Sequence, residues 1–449
     1  MTKIVIVGGG SFAWGPLFIR DIMVLPELSG AHIVLHDIDP EALDLVYAVG
    51  VKAIDAGGST ITLEKSNNLD TALQSADFVI LTITTGGLEA MRHDLEIPAR
   101  YGIVQSVGDT VGPGGLARGL RNIPVVVDIA RRMEAICPDA WLLNYTNPMS
   151  TLTRAISRET SIKVIGLCHE WIGVRGKLEQ AFEVPADQIQ ATIAGINHLP
   201  WLVQLKVKGE DAMPRLQQLA ADILGTRGTA LGYQDDDTWS TIDRGMVKSR
   251  LLQIYGGMPV AGDRHLAEFF PFFLTEATGF GKEFGVELTD IEERYQWRAD
   301  DRERLTEILT EDFDLSPFLA EDSGEAANRI IAAIITNGSY HGIMNLPNQG
   351  QVANIPLGAV VETLGIVDAT GARGICAGTL PAGMHAVVSS HIANQELVVE
   401  AALIGNRSLA FQALMNDPLV CLEPNDAELM LGEMLSANRA FLPRFFNNR

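Results

Sequence analysis

Lys3-Ile-Val-Ile-Val-Gly-Gly-Gly-Ser-Phe-Ala13 is the stretch that decides the fold. Residues 3–7 read as a buried strand, and Gly8-x-Gly10-x-x-Ala13 follows at once, ahead of a helix expected over residues 12–25. That is the dinucleotide fingerprint with alanine in its third place. Gly8 allows the tight turn, Gly10 allows close approach of the backbone to a pyrophosphate, and the helix amino terminus faces the phosphates. Gly8, Gly10, Ser11 and Phe12 are the candidates for holding this cofactor. A lone fingerprint is weak evidence, but the next element supports it. Residues 31–36 read as a second strand that ends at Asp37, an acid placed to bond ribose hydroxyls, which favours NAD over NADP. Asp39, before Pro40, fits a helix cap better than Asp37 does.

Outward from there, strand and helix alternate. Strands are expected at 60–64, 77–83, 140–144 and 163–167, and helices at 70–75, 122–136 and 148–159. The expected fold class is α/β, a Rossmann-type doubly wound parallel sheet. Residues 1–200 form the NAD-binding domain in this reading, and residues 201–449 a mixed α+β substrate-binding and oligomerisation domain. In the second half a strand is expected at 201–207, antiparallel at the sheet's edge, with helices at 215–224, 238–253, 302–311, 325–336, 384–403 and 427–437. The acidic run Gln234-Asp-Asp-Asp237 lacks the glycine and distal glutamate of a calcium loop and reads as a solvated loop.

Polar clusters sit where apolar strands end. Cys168-His169-Glu170-Trp171 follows one strand, and Asn197-His198 follows the run Ile193-Ala-Gly-Ile196. Cysteine with histidine suits a borderline-soft divalent metal, although either residue alone after a strand is more often packing. Gln105 to Gly115 is a glycine-rich loop that carries Asp109, and Gly112 to Gly115 also reads as a simple turn. Asn144-Tyr-Thr-Asn147-Pro148 ends another strand, and there Asn147 also reads as a cap for the helix opened by Pro148. Arg92 lies in an expected helix, where a solvated position is the bland alternative.

Composition narrows the function classes. In 449 residues, 47% hydrophobic and 20% charged content supplies a large core. A net charge of −22 argues against nucleic acid and anionic membranes as partners, and an anionic substrate would need local positive groups. Cys137, Cys168, Cys376 and Cys421 form neither a disulfide framework nor a zinc pattern, which fits a reducing cytoplasm. The amino terminus enters a strand with no leader pattern, and no apolar run is long enough to span a membrane.

The stretches Gly8-Gly-Gly-Ser11, Gly112-Pro-Gly-Gly115, Asn144-Tyr-Thr-Asn-Pro148, Gly166-Leu-Cys-His169 and Gly195-Ile-Asn-His198 occur in one order. Together they resemble glycoside hydrolase family 4. Within that family, Gln105 to Gly115, Ala261-Gly-Asp-Arg-His-Leu-Ala-Glu-Phe269 and Asn345-Leu-Pro-Asn-Gln-Gly-Gln351 are similar to the α-galacturonidase branch. Trp171 departs from the valine of that branch. The phospho-sugar members carry Asp or Asn after the cysteine, so His169 implies a non-phosphorylated α-glycoside.

The resemblance implies a cycle other than two-carboxylate hydrolysis. Carbon 3 of the sugar is oxidised with NAD⁺, carbon 2 loses a proton, the glycosidic oxygen leaves, water adds and the ketone is reduced again. It implies Cys168 and His198 as ligands, usually for Mn²⁺, His169 as the acid at the leaving group, and Asp109 orienting the metal or the acid. Asn147 would bind sugar hydroxyls. Asp263, in its Gly-Asp context, is the candidate base, with salt bridging or capping as its alternative. A uronate carboxylate calls for a bidentate arginine, with Arg92 and Arg264 as candidates and His265 a further contact. Homodimers or homotetramers are implied as well. The alternatives are an α-glucuronidase, α-glucosidase or α-galactosidase of the same family, a lactate/malate-type 2-hydroxy-acid dehydrogenase, and an inert NAD-binding protein.

Overall fold

Strand and helix alternate from the amino terminus onward in the computed structural model, which describes residues 1–226 and 244–446. The strands β1 (Lys3–Val7), β2 (His32–His36), β3 (Thr62–Ser66), β4 (Phe78–Leu81), β5 (Trp141–Asn144) and β6 (Lys163–Gly166) are parallel. Their order is β3-β2-β1-β4-β5-β6. This is the doubly wound Rossmann order, and its crevice opens where the order reverses, between β1 and β4. The architecture is therefore α/β, as the first residues indicate.

Both faces of this sheet are buried, which is why its strands read as continuous apolar runs. Ile4 and Ile6 share one apolar cluster with Ile330 and Ile331, whereas Val5 and Val7 share the other with Val399 and Leu414. Helices from the second half of the chain thus cover strands from the first.

The remaining strands are β7 (Ile189–Ile196), β8 (Leu199–Val207), β9 (Glu210–Asp211), β10 (Met258–Pro259), β11 (Ser339–Pro347), β12 (Val360–Asp368) and β13 (Gly371–Gly374). They extend the same sheet, antiparallel, in the order β6-β11-β12-β7-β8-β10, to a total of 13 strands among the described residues. The strand expected at 201–207 is β8; it lies between β7 and β10 rather than against the parallel half.

Three local expectations change, and one is that the helix expected at 302–311 runs Ile291–Ile308. The helix expected from residue 122 begins at Gly112 and runs to Ile136, so Gly112-Pro-Gly-Gly115 is its first turn and not a free loop. Pro113 is tolerated there because a first-turn N–H has no partner inside the helix. A Cβ on Gly115 would sit 2.3 Å from the Thr110 carbonyl carbon, so glycine lets the helix start against the Asp109–Thr110 segment. The helix after β5 is Met149–Glu159, and Pro148 is its N-cap with no side-chain cap bond. Asn147 is not the cap, because its Oδ1 accepts no bond from the helix amides. The capping expectation for Asp39 holds: its carboxylate accepts from the Glu41 and Ala42 amides. The acidic run at 234–237 and residues 238–243 of the expected helix lie outside the described residues. The described helix there is Met246–Tyr255. Among the described residues no helix is long and apolar enough to cross a membrane.

Candidate active site at the carboxyl ends of the strands

The turn after β1 has the shape a dinucleotide needs. Gly8 has φ +91°, and a Cβ there would lie 1.9 Å from the Thr82 carbonyl oxygen. Only glycine satisfies both conditions. A Cβ on Gly10 would meet the Asp37 carboxylate at 2.9 Å. Asp37, half-buried at the end of β2, accepts from the Gly10 amide at 2.9 Å and from the Asp39 amide at 3.0 Å. The carboxylate is thereby locked beside the turn, at the ribose position of such folds. Ser11 Oγ accepts from the Trp14 amide at 3.2 Å where the chain enters the following helix. The Phe12 ring lies under the Arg298 guanidinium at 5.8 Å. The cradle fits NAD by its glycines and by the acid after β2.

A second group of side chains converges beyond the ends of β5 and β6. Asp109, His198 and His265 place one ligand atom each within 4.8 Å of one another. Asp109 comes from the segment before helix Gly112–Ile136, His198 from the turn between β7 and β8, and His265 from helix Asp263–Phe269. His198 has φ +62° and is buried, an uncommon backbone state for a residue with a side chain. Its ring stacks on that of His265, with centroids 3.7 Å apart. The Thr110 hydroxyl donates to Asp109 Oδ1 at 2.6 Å and lies 2.8 Å from His198 Nδ1. That hydroxyl has one hydrogen, so Nδ1 of His198 must donate to it, and Nε2 keeps the lone pair. Asn147 Nδ2 donates to Asp109 Oδ2 at 3.1 Å, and its Oδ1 is buried with no partner among the described residues.

The charge states suit a cation. Burial, then its histidine neighbour, pushes His198 down to about 3. Burial likewise takes His265 down to about 4, against the pull of Asp109. Burial opposes ionisation of Asp109, but His265, His198 and Arg118 outweigh it and hold the carboxyl below its usual range. With both imidazoles neutral, Arg118 is the standing cation of that set. Two neutral imidazoles and one carboxylate are the protonation states a divalent metal requires. His265 Nδ1, 3.8 Å from Asp109, is a buried nitrogen without a hydrogen-bond partner among the described residues. The donor set fits Mn²⁺, for which nitrogen and oxygen donors are apt.

Cys168, which follows β6, is not one of this trio. Burial, then the nearby Glu362 and Glu170 carboxylates, raises its thiol well above the ordinary value. Only a cation would make it a thiolate there. Asn197, beside His198, donates to Glu362 at 3.0 Å. Asn345 donates to the same carboxylate at 3.1 Å.

The other expected residues are distributed as follows. His169, its side chain 55% exposed, faces Glu325, with Nδ1 to Oε1 at 3.4 Å, and this contact raises its pKa. Asp263 is buried and accepts from the Val247 and Lys248 amides at 3.0 and 3.1 Å, at the start of helix Met246–Tyr255. Arg264 donates to the Ser106 carbonyl and to Thr289, both at 2.7 Å. Arg92 is drawn into surface ion pairs with Glu89, Glu96 and Glu292. The residues that sequence reasoning left unassigned are Thr110, Arg118, Glu170, Arg294, Glu325 and Glu362. Glu170 lies 3.8 Å from His265, and its place in Cys-His-Glu-Trp was the one available signal. Arg294 is half-buried with its guanidinium over the Trp297 ring at 4.6 Å, and that guanidinium has no hydrogen bond or ion pair among the described residues.

Comparison with known proteins adds a second line. Residues 3–184 match the model of the family 4 glycosyl hydrolases, and residues 193–420 match that of their C-terminal domain. An α-galacturonidase of Bacillus subtilis is 37% identical over 443 residues, which covers 96% of each chain. The solved structure of a candidate glucosidase, lplD, also of Bacillus subtilis, superposes with a TM-score of 0.88 at 34% identity, over 97% of this chain and all of that one. A 6-phospho-α-glucosidase from gut microorganisms, solved with NAD and Mn²⁺, shares the fold, with a TM-score of 0.81 at 20% identity over 98% of this chain and 99% of that one.

Proposed function

The chain belongs to the family 4 glycosyl hydrolases, and from that premise we propose that it hydrolyses a non-phosphorylated α-glycoside, an α-galacturonide, with NAD⁺ and a divalent metal of the Mn²⁺ type. The observation that carries this reading is the Asp109–His198–His265 group beside Asn147, at the carboxyl end of a nucleotide-binding sheet. NAD, when bound, supplies a hydride acceptor and donor for carbon 3, and the metal supplies Lewis acidity toward the sugar's 2- and 3-oxygens.

The chain's own residues have separate tasks. Gly8 and Gly10 admit the pyrophosphate, and Asp37 meets the ribose. His198, through Nε2, would hold the metal together with Asp109 and His265, and Cys168 would be the further ligand. Asn147, paired to Asp109, presents its free amide oxygen to a sugar hydroxyl. His169, its pKa raised by Glu325, holds a proton for the leaving oxygen. Asp263 is assigned removal of the carbon-2 proton. Its two amide bonds set a demand, since one oxygen must be shared with or released to the sugar. Asp263→Asn is expected to stop exchange of that proton with solvent, and unaltered exchange moves the role elsewhere.

The uronide is supported by Arg294. Burial and the neighbouring Arg264 both disfavour its charge. A substrate carboxylate would relieve both, and it fits a guanidinium bidentately. Arg92 is already paired on the surface and is the weaker candidate. Homodimeric or homotetrameric assembly in a reducing cytoplasm belongs to the same proposal, and sedimentation measures the first.

The test is hydrolysis of an aryl α-galacturonide in heavy water by reduced, metal-stripped protein, with NAD⁺ and Mn²⁺ added singly and together. Turnover only with both, and deuterium at carbon 2 of the product, is the expected result. Activity on another α-glycoside alone discards the uronide and keeps the mechanism. NADH that accumulates without hydrolysis favours a dehydrogenase.

A further inference from the structure

Two members of the metal-competent trio come from segments far apart in sequence, and one buried side chain ties those segments together. Glu268 has no exposed surface and lies on helix Asp263–Phe269, one turn beyond His265. Its Oε1 accepts from the Val107 amide at 2.7 Å and from the Gly108 amide at 2.8 Å. Asp109 is the next residue. The same two segments are joined again at Ser106, whose hydroxyl donates to the Arg264 carbonyl at 2.6 Å and whose carbonyl accepts from Arg264 at 2.7 Å. Three successive residues before Asp109 are thus clamped to the helix that carries His265.

Placing a carboxyl here is costly. Burial pushes Glu268 up to about 8, and its Oε2 is buried with no hydrogen-bond partner among the described residues. What the group provides in return is a single acceptor oxygen for two loop amides that would otherwise be buried unpaired. The two bonds both end on Oε1, and the function follows from that acceptor oxygen.

We propose that Glu268 is a positioning residue for the metal site, setting the separation of Asp109 from His265 through its bonds to Val107 and Gly108. The proposal rests on the metal-dependent reading above. Outer-shell partners bonded directly to a ligand contribute about 10- to 100-fold to metal affinity, and Glu268, which acts on the backbone beside Asp109, is expected at the lower end of that range.

The experiment compares Glu268→Leu with Glu268→Gln. Mn²⁺ affinity is measured by electron paramagnetic resonance, and site geometry by the visible absorption of bound Co²⁺. Leucine keeps the volume without an acceptor. It is expected to weaken Mn²⁺ binding at least about tenfold and to shift the Co²⁺ bands, while NAD⁺ affinity stays unchanged. Glutamine keeps the carbonyl oxygen and is expected to stay within about threefold of the parent. A folded Glu268→Leu protein with parental affinity and bands overturns the proposal. So does a Glu268→Gln protein that loses as much as Glu268→Leu, because the charge would then be what matters. If Glu268→Leu does not fold, Ser106→Ala removes one bond of the same clamp and is expected to shift the Co²⁺ bands; unshifted bands overturn the proposal. Parent protein that binds no Mn²⁺ overturns the metal reading and this proposal with it, whereas parent binding matched by Glu268→Leu overturns this proposal alone.

Discussion

His265 and Cys168 put the residue-scale question most sharply. His265 stacks on His198 and faces Asp109, so truncation removes a donor and unstacks a neighbour. His265→Ala is expected to weaken Mn²⁺ binding by roughly tenfold or more, about 1.4 kcal/mol per decade, with NAD⁺ affinity retained. Calorimetric titration checks it, and parental affinity would remove His265 from the site. Cys168→Ser is expected to abolish metal-dependent turnover and spare NAD⁺ binding; full turnover in that variant would leave Cys168 as packing. These roles were unequally legible. Cys168 and His198 stand out because each follows an apolar strand, and Asp109 because it is the acid in a run of glycines. His265 could be given no more than a contact, since nothing near Arg264-His265-Leu266 shows that Asp109, more than 150 positions away, lies against it. The surface pairing of Arg92 was hidden for the same reason: its partner Glu292 is 200 positions distant.

At the scale of elements, helix Gly112–Ile136 matters most, because its first turn adjoins Asp109. Its amino terminus is capped from far along the chain: Asp417 accepts from the Gly112 amide at 2.8 Å, and with its other oxygen from Leu419 at 3.0 Å. Burial pushes the Asp417 carboxyl up from 3.8 to about 6, against those two bonds. The folded state therefore binds the proton more tightly than the unfolded state. Between these two values the unfolded chain is the more ionised, so stability falls as pH rises and levels off above the folded pKa. The size of the fall is on the order of 3 kcal/mol. Urea unfolding from pH 4 to 7 is expected to show the parent losing stability relative to Asp417→Asn by that amount, on top of the decline that Glu268 and Glu362, also raised by burial, give to both proteins. An equal slope in both would place the titration elsewhere. The start of this helix was read ten residues late because Gly112-Pro-Gly-Gly115 has turn composition, and the cap that selects helix there comes from residue 417.

For the whole molecule, the continuous sheet has a direct consequence. The edge of the parallel half at β6 is covered by β11, and Leu305, Ile330 and Ile331 close the apolar cluster that contains Ile4 and Ile6. A fragment of residues 1–200 would expose that edge and that cluster. It is expected to aggregate or to lack cooperative unfolding, and a soluble, cooperatively folding fragment would show that the first half is an autonomous domain. The sequence by itself determined the nucleotide-binding half, because its signals are local. Apolar runs, a glycine turn and an acid at the end of β2 each act within a few residues, and the parallel order follows from repeating one strand–helix unit. Which acids and imidazoles share a site was decided only by the tertiary structure. Asp109, His198 and His265 meet because β7, β8, β11 and β12 extend the sheet past β6 out of chain order, and helix Asp263–Phe269 is clamped to the Asp109 segment. Such contacts depend on the path of the chain through the packed core, and no local pattern encodes that path.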